Sequence, residues 1–139
     1  MYEPIRTKSV HTVAGTPSSD FPHRSREEEL DIQLAGHLAA LLAVTDEIRT
    51  VAPSADLDTA AERLAGQVTR LRGGSTPVRA PAAAVGEALL VTLHRRAHDL
   101  AGRALVVAAS RADTSAAILS AERMDAHAAA TAARELAAR

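Results

Sequence analysis

The chain has 139 residues, 24 % of them charged, with a formal net charge of −1, which suits one domain with a single buried core. That near-neutral balance argues against a strongly basic nucleic-acid binder and against a polybasic membrane-surface protein. With no cysteine present, disulfides, thiolate metal sites and cysteine nucleophiles are all excluded.

Residues 1–25 differ from the rest. Pro4, Pro17 and Pro22, a Ser/Thr-rich stretch and Gly15 interrupt any helical period, so this segment reads as an extended or flexible arm. Tyr2 and Phe21, the only aromatic residues of the chain, lie here and, with Ile5, are candidate anchors for a protein partner. The helical remainder has no aromatic residue to build a base-stacking platform or an aromatic cage.

From Arg26 the period becomes helical. Glu27, Glu28, Glu29 and Asp31 suit the positive end of a helix dipole, and Leu34, Leu38, Leu41, Thr45, Ile48 and Ala52 recur at spacings of four and three. Ile32, Ala35, Ala39 and Leu42 widen this seam, and Pro53 ends a first helix predicted over 26–52. Ser54 caps a second over 54–72, with Leu57, Ala61, Leu64, Val68 and Leu71 as its seam and Gly73-Gly74 as its stop.

A third helix is expected over 81–112, opened by Pro81, with Leu89, Leu93, Leu100, Ala104 and Val107 along one seam and Leu90, Ala97, Ala101, Leu105 and Ala108 beside it. With one continuous helix of about 60 residues as the competing reading, Asp113-Thr114-Ser115 predicts a tight turn before a fourth helix over 114–138. Its expected seam is Ala117, Ala121, Met124, Ala128 and Leu136. The pattern predicts an all-α fold, an antiparallel four-helix bundle with an irregular N-terminal arm. Gly36, Gly66, Gly86 and Gly102 fall inside helices, where each costs about 1 kcal/mol relative to alanine. Close approach of neighbouring backbones is the expected reason for at least three of them.

The N-terminus has no apolar stretch of signal-peptide length and no segment is long enough to span a membrane, so a cytoplasmic protein is expected. All basic side chains except Lys8 are arginine, and alanine is abundant, a bias that fits a high-GC bacterial genome.

Histidine is the main candidate for chemistry. His94 and His98 are four apart on one helix face, a spacing that can chelate a metal if His37, His127, Asp125 or Glu122 supplies a third ligand. The paired Glu-x-x-His pattern of di-iron carboxylate bundles does not occur. Two partly solvated histidines beside Arg95 and Arg96 are the plainer reading. Gly73-Gly74-Ser75-Thr76 lacks the lysine and spacing of a phosphate-binding loop, and no serine sits in a Gly-x-Ser-x-Gly elbow. Arg95, Arg96 and Arg103 form a basic stripe broken by Asp99, which reads as a solvated face.

The stretch His98-Asp99-Leu100-Ala101-Gly102 resembles the phospho-acceptor region of histidine phosphotransfer domains, with leucine at +2 and glycine at +4 from the histidine. The lysine usual at +3 is Ala101 here. His98-Asp99 is also similar to the histidine–acid start of a sensor-kinase dimerisation helix. The resemblance implies His98 as acceptor and Asp99 as the group that orients or deprotonates it.

The leading expectation is a non-enzymatic interaction module, a homodimer built on aliphatic seams, with residues 1–25 as a further contact for another protein. Several helices carry more apolar residues than one buried stripe needs, which points to a second contact surface. The alternatives are phosphotransfer through His98 and binding of a metal or small ligand between helices. No cofactor, nucleic acid or membrane is expected.

Overall fold

A computed structural model describes residues 25–79 and 89–138, and these form an all-α bundle. The helices are α1 (Arg26–Val51), α2 (Ala55–Leu71), α3 (Leu90–Arg111) and α4 (Thr114–Ala137). The expected arm, the start of a third helix near Pro81, and Gly86 lie outside the described residues.

Local chemistry fixes the helix ends. α1 starts in a capping box: Ser25 Oγ accepts from the Glu28 amide at 3.1 Å, and the Glu28 carboxylate accepts from the Ser25 amide at 2.8 Å. Ser54 Oγ accepts from the Leu57 amide at the start of α2. α2 ends as a Schellman motif, with the Gly74 amide on the Thr69 carbonyl and Gly73 at φ 68°. The α3–α4 turn repeats this motif without glycine. The Asp113 amide reaches the Ala108 carbonyl, and Ala112 takes the left-handed conformation at φ 57°. Asp113 then caps α4 through the Ala116 amide.

Side-chain pairs give the chain directions. At one end of the bundle Asp31 near the start of α1 meets Arg111 at the end of α3, and Arg70 at the end of α2 meets Asp113 in the α3–α4 turn. Toward the opposite end Arg49 of α1 meets Asp58 of α2, and Arg95 of α3 pairs with Glu135 of α4. Helices in contact therefore run in opposite directions. The extensive contacts are α3 with α4, α1 with α3, and α1 with α2, while α2 touches α4 only marginally. α2 and α3 lie diagonally and run the same way, so residues 72–89 connect opposite ends of the bundle. Arg79 in this connection is clamped onto Asp46 of α1 by two bonds of 2.7 Å. Burial alone would raise the Asp46 pKa, but hydrogen bonds from Arg79 and Arg49 outweigh it and hold the carboxyl below its ordinary value.

The core is aliphatic on the α1 and α2 sides, with Leu34, Leu38, Leu41, Leu42, Val44, Ile48, Leu57, Leu64 and Val68 buried. Alanines 97, 101, 104 and 108 share the inner face of α3 with Leu90, Leu93, His94 and Leu100. The expected role of the helix glycines is overturned. A Cβ at Gly36 or Gly66 would meet nothing within 4 Å, and one at Gly102 would meet only the Met124 methyl group at 3.5 Å.

The expected seam of α4 is also corrected. Ala128 and Leu136 are exposed, and the buried face is Ala116, Leu119, Ser120, Arg123 and His127. Ala117 and Met124 of the expected seam do pack against the core but are only partly buried, so that stripe lies about one residue, roughly 100°, from the true inner face, which includes an arginine and a histidine. Ile32 and Leu89, expected in or beside seams, are exposed as well.

Candidate functional site

Two polar arrangements sit between α3 and α4, one inside the bundle and one on its surface. The inner one begins with His94, placed on the core side of α3 one turn before Ala97 and 5 % exposed. Across from it His127 of α4 is 1 % exposed, with its Nδ1 at 3.0 Å from His94 Nδ1 and the rings tilted by 44°. One helical turn earlier Arg123 is 4 % exposed, and its Nη2 stands 3.5 Å from His127 Nε2. The other guanidinium arm reaches out to Asp56 at the start of α2, at 3.0 Å. Among the described residues Arg123 Nε and the hydroxyl of Ser120, one turn before Arg123, are buried without a hydrogen-bond partner.

These contacts dictate the protons. Guanidinium nitrogens only donate, so His127 Nε2 faces Arg123 as a lone pair and His127 carries its proton on Nδ1. That proton is donated to His94 Nδ1, which leaves the His94 proton on Nε2. Both rings are neutral in this arrangement. Burial, followed by the charge of Arg123 and the neighbouring His94, pushes His127 down to about 3. Burial, then Arg134 and Arg123, lowers His94 as well.

The alternative His94–His98 pair is not the one the fold assembles, and the plainer expectation of two partly solvated histidines holds for His98 but not for His94, which is buried. One turn of helix separates an inward residue from an outward one: His94 turns to His127, while the His98 side chain is 40 % exposed. Of the proposed third ligands only His127 reaches His94. The described residues contain no group of three or more histidine and carboxylate side chains able to hold a metal ion. The guanidinium beside His127 further opposes a cation. Asp125 is exposed, and Glu122 is paired with Arg63 at 2.8 Å.

The outer arrangement is a cleft of about 360 Å³ lined by Arg95, His98, Asp99, Thr131, Glu135 and the small side chains of Ala128 and Ala132. His98 Nδ1 lies 3.8 Å from Asp99 Oδ1, and Arg95 closes one side through its pair with Glu135. Gly102, one turn on from His98, is partly covered by Met124.

Sequence reasoning placed His98 and Asp99 together and named His127 among the possible companions of His94, but it did not single out that pair and missed Arg123 beside it. The signal for it was the spacing of Arg123 and His127, four apart and in phase with Ala116 and Leu119.

No described helix is long and apolar enough to cross a membrane. Compared with protein-family models, with curated proteins and with solved structures, the chain matches none.

Proposed function

We propose that the chain is a non-enzymatic assembly module that pairs with a second copy through the outer faces of α3 and α4. The observation that carries this reading is a set of large aliphatic side chains turned to solvent there: Val106 on α3, and Ile118 and Leu136 on α4. Ile118 and Leu136 are a whole number of turns apart, so they share one face, with exposed Ala129 between them. This face is separate from the buried face of α4, so pairing leaves the bundle intact. Apolar area left on a surface is stabilised by association, and arginine–carboxylate pairs at the rim would set the register. Light scattering at about tens of micromolar is expected to give twice the 14.5 kDa chain mass. Ile118→Glu with Leu136→Glu is expected to return the monomer with unchanged helicity. A monomeric wild-type chain overturns the proposal.

A second reading has a specific observation in its favour. His98 is accessible in a cleft beside Arg95 and Asp99, the placement a phospho-acceptor needs. A phosphoryl group would pass from a donor to an imidazole nitrogen, with Arg95 compensating its charge. Incubation with acetyl phosphate is the test. Labelling lost in His98→Ala supports this reading, and equal labelling in both proteins removes it.

A further inference from the structure

The inner histidine pair is used by neither reading above, yet it is the least expected feature of the core. We propose that His94 and His127 form an acid-sensitive latch that holds the end of α4 against α3 and releases it when the pair takes up a proton.

A single proton fits between the two Nδ1 atoms at 3.0 Å. A proton added to His94 at Nδ1 meets the N–H of His127. A proton added to His127 at Nε2 meets the guanidinium of Arg123 at 3.5 Å. Both open positions thus face a donor, and a second proton breaks a contact wherever it goes.

The surrounding charges point the same way. α4 contributes Arg123 and Arg134, and α3 contributes His98. All three disfavour charge on one or the other ring, and only Asp56 of α2 favours it on His127. Asp56 is itself occupied by Arg123 and faces solvent. The buried face of α1 carries Thr45 and aliphatic residues but no titratable group. An imidazolium here has no counterion of its own in a nearly dry site.

Local structure sets what opens. His127 is the last fully buried residue of α4, and residues 128–137 are exposed or only partly covered. Beyond the latch, the surface pair Arg95–Glu135 ties this stretch to α3. Such pairs contribute little on their own. Losing the histidine contact therefore removes the last buried contact of α4, while α1, α2 and the first half of α4 keep their aliphatic packing.

Both folded-state values are depressed, so the stability the neutral pair provides is complete above the unfolded value of about 6.5. It declines as pH falls toward the folded value, which is about 3 for His127. One histidine held neutral lowers the folding constant roughly 30-fold between pH 7.5 and pH 5.

Urea unfolding at pH 7.5, 6 and 5 is the first measurement, on wild type and on the His94→Gln/His127→Gln double variant. Wild type is expected to lose at least that factor and the double variant to lose much less. Equal slopes overturn the proposal. Because the double variant can fail to fold, wild type alone provides a second measurement, an amide and imidazole NMR titration over the same range. Residues 128–137 are expected to lose helical shifts while α1 keeps its own. The proposal fails if His127 titrates with a midpoint near the ordinary value while those residues stay helical, or if the whole chain unfolds in one step.

Discussion

α1 and α4 are of similar length and lie diagonally across the bundle, yet they build opposite kinds of interior. α1 buries Leu34, Leu38, Leu41, Leu42, Val44 and Ile48, and its one buried hydroxyl, on Thr45, is satisfied by the Leu41 carbonyl at 2.8 Å. α4 buries a single large aliphatic residue, Leu119, and then Ser120, Arg123 and His127. Apolar packing tolerates any arrangement of the right volume, whereas a polar interior holds only while its donors and acceptors match. The contrast separates the side of the core that provides stability from the side that can respond to conditions.

The largest effects should fall on the α1 side. Leu38→Ala or Leu41→Ala is expected to cost about 2–5 kcal/mol, read by urea unfolding at pH 7.5, because each side chain is fully buried. Arg123→Met tests the other side. It replaces a buried cation, whose Nε has no partner among the described residues, by a side chain of similar length, and takes a donor from the exposed Asp56 carboxylate and from His127 Nε2. Its stability should therefore stay within about 1 kcal/mol of wild type or rise. A loss as large as the leucine truncations would show that the Arg123–Asp56 pair carries the bundle, and the contrast between the helices would collapse.

Smaller effects sharpen the picture. Ser120→Ala removes a buried hydroxyl with no partner among the described residues and should stabilise by about 1 kcal/mol. Ala112→Gly relieves a left-handed alanine in the α3–α4 turn and should stabilise by about 1 kcal/mol, seen as a higher Tm. Gly66→Ala is the least of these. Its site is open and helical, so a gain of about 0.5–1 kcal/mol is expected from helix propensity alone. A loss there would mean that Gly66 is contacted after all, by a second copy.

What the sequence made legible follows the same divide. The seams of α1 and α2 could be read because leucine, isoleucine and valine recur there against polar neighbours. Of the residues assigned to those seams, Leu34, Leu38, Leu41, Thr45, Ile48, Leu57, Ala61, Leu64 and Val68 are buried. The turn at Asp113 was marked by its cap residues, although nothing predicted a left-handed alanine before it. α4 was misread because alanine surrounds it and supplies no contrast between faces. The buried Arg123 and His127 then displaced the expected stripe to one side of the inner face. The sequence offers His127 as one of several possible companions of His94 but cannot single it out, because His98 is the histidine that helical spacing places beside His94. Which residue of another helix it meets is a property of packing, outside the reach of local spacing.

The chain order has a consequence for how this molecule folds. α1 with α2, and α3 with α4, are helical hairpins closed by links of two or three residues, so each can form from contacts near in sequence. The two hairpins join mainly where α1 packs on α3, through contacts that the connection at 72–89 must first bring together. Docking of two preformed hairpins is therefore the expected slow step. Truncating Leu38 should slow folding, and relaxing Ala112 should mainly change how tightly one hairpin is closed before it docks.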